Sequence, residues 1–138
     1  MISIIVGKKG SGKTKYLVDH VNMAVKDEPG TLVFLSKDNR LMYDLSHSVR
    51  YIITEEYEIA NYDMFYGFLC GIISNNYDTT NVFIDSLWKI VASGAEGFEK
   101  CLEGLEKISG KHNINFTIAI SEDKANIPAC AEKYLVNL

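Results

Sequence analysis

Long apolar runs, paired cysteines and basic excess are all missing from this sequence, and each absence removes a class of explanation. No stretch approaches the roughly 18 consecutive apolar residues of a membrane span. The first residues read as a core strand rather than a signal peptide. A cytoplasmic protein without a membrane partner is therefore expected. The three cysteines, Cys70, Cys101 and Cys130, are widely separated and form no C-x-x-C pair. That spacing argues against a cysteine-held metal and for small buried thiols in a reducing compartment. Lys and Arg number 14 against 18 Asp and Glu, a net charge of −4, which disfavours a general nucleic-acid or membrane-surface binder. There is no internal repeat, low-complexity tract or linker. At 138 residues the chain suits one domain, 1–138, with room for a sheet covered by helices but not for a separate substrate domain.

What is present is an alternation of strand and helix patterns. Ile2 to Val6 is an almost wholly apolar run, as a strand buried on both faces requires. Leu17, Val21, Ala24 and Val25 recur at helical spacing from Lys13 to about Lys26, and Asp27-Glu28-Pro29-Gly30 stops that helix. Thr31 to Leu35 is a second strand. Residues 36–48 read as a loop with a short helix, and Val49 to Thr54 as a third strand. Met64, Phe65, Phe68, Leu69, Ile72 and Ile73 form a helical stripe. Asn81 to Ile84 is a buried strand ending at Asp85. Phe98, Cys101, Leu102, Leu105 and Ile108 mark a helix stopped at Ser109-Gly110-Lys111; a strand follows from Asn115 to Ile120. A last strand is expected around Tyr134 to Val136. This alternation predicts an α/β fold: a three-layer α/β/α sandwich around a mainly parallel sheet.

The most specific feature lies between the first strand and first helix. Residues 7–14 read Gly-Lys-Lys-Gly-Ser-Gly-Lys-Thr, the pattern G-x-x-x-x-G-K-T. Between a strand and a helix, this pattern describes a phosphate-binding loop. Gly7, Gly10 and Gly12 can take backbone angles that let successive N–H groups turn toward an anion, and the helix directs its positive end at the same place. Lys8, Lys9, Ser11 and Lys15 complete the loop region. Lys13 is expected on the β- and γ-phosphates and the Thr14 hydroxyl on Mg²⁺. A second polar group, Asp85, ends a buried strand 70 residues downstream, where ligands gather in open α/β sheets. It is the expected partner of the metal.

Taken together, Gly7 to Thr14 resembles the Walker A motif and Val82 to Asp85 resembles Walker B. The resemblance implies a P-loop NTPase fold, and the order of elements is similar to RecA-like ATPases. It implies ATP and Mg²⁺ as cofactors, and a γ-phosphate-sensing role for Ser121 at the end of the strand after Walker B. The guanine-specific N-K-x-D run is absent, which favours ATP. Many relatives carry Glu after the Walker B Asp; here that residue is Ser86. A water-polarising acid would then be Glu55 or Glu56, after the strand that precedes Walker B in sequence. Arg40 and Arg50 are the only arginines, so a finger supplied in trans by a second copy in a homo-oligomer, or by a protein partner, has few sources. Lys37-Asp38-Asn39-Arg40 with Ser46-His47 resembles thymidine kinases, but their zinc lasso and Walker B Asp-Glu pair are lacking.

Three functions compete at this level: an ATP-binding protein with slow Mg²⁺-dependent ATPase activity, a non-catalytic nucleotide switch or assembly module, and a small nucleoside or nucleotide kinase. The kinase needs a lid, and only 36–48 and 55–62 are available for one. The aromatic cluster Tyr57, Tyr62, Phe65, Tyr66 and Phe68 has core spacing and acidic neighbours, which disfavours base stacking with nucleic acid. Trp88 is expected near the C-terminal edge of the sheet as a reporter of nucleotide.

Overall fold

The computed structural model describes residues 1–137. Six strands form one sheet: β1 (Ile2–Gly7), β2 (Thr31–Ser36), β3 (Arg50–Ile53), β4 (Thr79–Ile84), β5 (Asn115–Ser121) and β6 (Leu135–Val136). Four helices connect them: α1 (Lys13–Asp27), α2 (Tyr62–Asn75), α3 (Leu87–Ile90) and α4 (Phe98–His112). The spatial order is β3-β2-β4-β5-β1-β6, and each pairing is parallel. The sheet is thus wholly rather than mainly parallel. All strands run the same way because every connection crosses back over a face of the sheet.

Alternation along the strands divides the core in two. On one face, Ile4, Leu35, Ile84 and Ile118 pack with Phe65, Leu69, Leu102 and Leu105 of α2 and α4. On the other, Ile5, Phe34, Phe83 and Ala119 pack with Leu17 and Val21 of α1, and Leu45 and Val49 close the edge. The sheet is therefore covered on both sides, the arrangement that its near-continuous apolar strands require.

Several local expectations need adjustment. The Ser109-Gly110-Lys111 step does not end the fourth helix, which runs to His112 and is capped by Asn113 in the left-handed region at φ 55°. Asn tolerates that conformation, whereas Gly110 keeps a negative φ and stays inside the helix. The 36–48 segment holds one 3₁₀ turn, Met42–Asp44. The third strand is shorter than Val49 to Thr54, because Val49 turns into the α1-side core and Thr54 opens another 3₁₀ turn. Met64 leaves the helical stripe and is 42% exposed. The cysteines form no disulfide; Cys101 is buried while Cys70 and Cys130 are partly so. Burial pushes the Cys101 thiol up to about 11, so it stays protonated and unreactive near neutrality. No helix among the described residues is long and apolar enough to cross a membrane.

Candidate functional site at the C-terminal edge of the sheet

The loop between β1 and α1 meets its conformational demands with glycine. Gly10 and Gly12 have φ of 88° and 91°, where a side chain is strained even though space is open around both. Gly7 has a different reason: a Cβ there would collide with the Ser11 hydroxyl. The Ser11 amide bonds the Lys8 carbonyl at 3.0 Å, which tightens the loop. Among the described residues, the amides of Gly10, Gly12, Lys13 and Thr14 find no acceptor. The last two are open because they begin α1.

Lys13 is the exceptional cation of this region. It is 6% exposed, and its ammonium donates back across the loop to the Lys8 carbonyl at 3.3 Å. Burial pulls its pKa down, the Asp85 carboxylate pulls it up, and the charge of Lys89 adds to the lowering. The other loop lysines are exposed. Lys8 pairs with Asp123 at 3.3 Å and Lys15 with Asp19 at 2.7 Å, while Lys9 forms no ion pair among the described residues. Ser11 and Thr14 are exposed at the same loop.

Asp85 follows β4 directly and is 3% exposed. Its amide bonds the Leu35 carbonyl of β2 at 2.9 Å, which fixes the chain at the strand end. Burial raises its carboxyl pKa; the Ser86 side chain, Arg40, Lys89 and Lys13 oppose that rise. Ser86 then turns the chain with φ 53°, a left-handed conformation that a non-glycine residue adopts at a cost of about 1–3 kcal/mol. Between β1 and β4 runs β5. Its Ser121 lies opposite Gly7, and its Ile118 lies opposite Ile84, one residue before Asp85. Ser121, the loop and Asp85 thus share one edge of the sheet, with Gly7 and Asp85 about two strand spacings, ~10 Å, apart.

Glu55 and Glu56 stand elsewhere on that edge. They are exposed on the 3₁₀ turn after β3, the outermost strand, four places from β1. β4 lies between β2 and β5, and on the β2 side the acid beside Asp85's strand is Asp38, two residues past Ser36. Its carboxylate accepts from the Arg40 amide and guanidinium, both at 3.1 Å. Partial burial opposes the charge, but these bonds, with help from Lys89, hold the carboxyl below its ordinary range. The Tyr51 hydroxyl donates to the Asp38 carbonyl at 2.6 Å and steadies the segment. Arg40 belongs to this same edge of its own chain, whereas Arg50 opens β3 at the opposite edge. In the sequence Asp38 stands out only within Lys37-Asp38-Asn39-Arg40 and Lys89 in no motif; the β2–β4 adjacency and the turn at Ser86 bring them to this edge.

Trp88 is half-buried beside this edge, its ring edge-on to Phe98 at 6.2 Å. Its Nε1 is buried without a hydrogen-bond acceptor, close to the Tyr62 hydroxyl, which itself donates to the Gly94 carbonyl. A cleft of about 700 Å³ lies away from the loop, between α2 and α4, where Tyr62 and Tyr66 rest against Gly97 and Gly104. Its lining mixes Asp63, Glu96 and Glu103 with Lys100 and Lys107, so its volume does not mark it as the phosphate site. The described residues contain no cluster of three metal-ligating His, Cys, Asp or Glu side chains. A hydroxyl and one carboxylate, Thr14 and Asp85, still suit Mg²⁺, which keeps water and phosphate oxygens as its other ligands. No protein-family model matches the chain, and no curated protein matches it significantly.

Proposed function

We propose that this chain is a P-loop NTPase of the RecA-like division. It binds ATP with Mg²⁺ and hydrolyses it slowly. One observation carries the reading: the 7–14 loop holds unpartnered amides and a buried lysine at the same sheet edge as Ser121 and Asp85. A buried ammonium with only a long bond to a carbonyl is costly unless an anion completes its environment. The interposed β5 supports the RecA-like reading, since it brings Ser121 opposite Gly7.

In this reading the loop amides and Lys13 bind the phosphates and neutralise charge that develops during phosphoryl transfer. Thr14 and Asp85 would hold Mg²⁺, which when bound screens the phosphate oxygens. Ser121 would donate to the terminal phosphate. Glu55 and Glu56 stand too far along the edge to orient water without movement of the 54–57 turn. Asp38 is nearer the metal side, but Arg40 occupies part of its accepting capacity. Slow turnover follows from this lack of a free, positioned base. The switch reading keeps support from the left-handed Ser86, which stands where many relatives carry a catalytic Glu.

Titration calorimetry with MgATP on the full chain tests the proposal. Binding is expected, with loss of at least about 100-fold in affinity for Lys13→Ala, consistent with losing a charge-assisted contact to phosphate. Turnover of the isolated chain should stay below about 1 per second, at the slow end of enzymes. Absence of heat with both ATP and GTP would reject nucleotide binding at this loop. Binding with no phosphate release would leave the switch as the function.

A further inference from the structure

We infer that Lys89 is a second phosphate-binding cation, supplied in cis, which contacts the terminal phosphate of the bound nucleotide. The inference rests on the nucleotide-binding reading of the 7–14 loop and assigns the residue that separates triphosphate from diphosphate.

The position of Lys89 follows from the turn after Asp85. Ser86 reverses the chain in a left-handed conformation, and the Lys89 amide bonds the Ser86 carbonyl at 2.9 Å. A single helical turn keeps Lys89 within about 6 Å of rise from the carboxylate-bearing residue. α3 cannot rotate freely, because Leu87 and Ile90 are anchored in the core at 0% and 4% exposure. Lys89 is the exposed member of that turn. Its side chain is therefore presented at the C-terminal edge of the sheet.

The surroundings of Lys89 lack a dedicated counter-ion. Like most lysines of the chain, Lys9 and Lys37 among them, Lys89 forms no ion pair or side-chain hydrogen bond among the described residues, so its ammonium is free to meet a ligand. Its charge is nevertheless felt at Lys13, Asp38 and Asp85, which come from three separate segments. That agrees with the place of Lys89 one helical turn past Asp85. Two lysines and Arg40 face a single buried carboxylate there, with Asp38 already committed to Arg40. With Arg40 and Asp38 paired, two lysines against one carboxylate leave a net positive charge, which favours an anion there.

The order of the groups selects the phosphate. The loop amides and Lys13 enclose the part of the polyphosphate nearest β1. Lys89 approaches from the β4 side, beyond Asp85, and so meets the phosphate that extends farthest toward β4. ADP lacks that group. A cation in this position does part of the work of an arginine supplied in trans.

Calorimetry with MgADP and a magnesium-bound non-hydrolysable ATP analogue tests the assignment on wild type, Lys89→Gln and Lys89→Arg. Lys89→Gln should weaken the triphosphate analogue about tenfold, the scale of one charge-assisted hydrogen bond, and change ADP affinity less than twofold. Lys89→Arg should recover most of the loss. Adding an excess of Lys13→Ala chain, which carries an intact Lys89, should not rescue Lys89→Gln. Equal losses for both nucleotides, no loss for either, or rescue by the added chain would overturn the inference. A wild-type chain that binds neither nucleotide would reject the loop reading and this inference with it. Normal wild-type binding with a silent Lys89→Gln would reject Lys89 alone.

Discussion

The two ends of the same sheet treat polar groups in opposite ways. At the N-terminal ends of the strands, polar side chains close on one another. The buried Ser109 hydroxyl donates to the Ile114 carbonyl at 2.6 Å, the Thr79 hydroxyl to the Asn76 carbonyl at 2.8 Å, and the Asn76 amide to the Thr31 hydroxyl at 3.2 Å. At the C-terminal ends, Lys13 and Asp85 are buried without an ion pair, loop amides lack acceptors, and Ser86 is held left-handed. Even glycine is used differently. Gly30 is needed for space, since a Cβ would meet the Asp78 carbonyl at 2.5 Å, whereas Gly10 and Gly12 are needed for their positive φ. A closed network serves only the fold. An open one costs stability that a ligand can return, because a group binding the native state alone stabilises it by mass action.

The sharpest test of that contrast is Gly12→Ala. It should lower MgATP affinity by at least about 100-fold, or ~2.7 kcal/mol, with a folding cost of only about 1–2 kcal/mol for a left-handed alanine. Calorimetry and urea unfolding measure the two effects. Equal affinity in the variant would show that the loop's conformation is not needed for binding. Next in size is Gly30→Ala, at the other end. A forced contact with backbone should cost about 1–3 kcal/mol in urea unfolding, and nucleotide affinity per folded molecule should not change. A linked loss of affinity would mean that the two ends are coupled.

Asp85→Asn should move stability and function in opposite directions. Burial makes ionised Asp85 unfavourable in the folded state, so its native carboxyl binds a proton more tightly than the unfolded one, whose ordinary value is 3.8. The nucleotide-free wild type is therefore penalised as pH rises from that value through the raised native one. The advantage of Asn should be absent at the acidic limit, grow through that window and level off above it, read as a Tm above that of wild type only on the alkaline side. Magnesium dependence of ATP binding should fall with it. A pH-independent stability difference would refute the burial argument. The smallest effect is expected for Ser109→Ala, about 1 kcal/mol of stability for the bond it donates to the Ile114 carbonyl and the one it accepts from the Met1 ammonium, with no change in binding by calorimetry.

Legibility in the sequence followed how local each feature is. The glycine loop was readable because strand, loop and helix are contiguous and their φ demands select residue types. Asp85 was readable because it ends an apolar run. The importance of strand neighbours was not. Glu55 and Glu56 follow the strand before Asp85 in sequence, but β2, not β3, lies beside β4, and this brings Asp38 and Arg40 to the edge instead. Met64 fits the helical stripe by spacing, yet it is left 42% exposed, while Phe65 and Leu69 of the same helix are fully buried.

Contiguous chemistry in the chain determined that apolar strands alternate with helices and that residues 7–14 form a glycine-dependent turn at a helix start. Backbone preference and side-chain periodicity act over a few residues, so neither needs a partner elsewhere. The tertiary structure decided the β3-β2-β4-β5-β1-β6 order, the burial of Lys13 and Asp85, and the convergence of Arg40 and Lys89 on one edge. Those depend on which distant strands pair and what their crossovers cover, a choice made by the packing of the whole core.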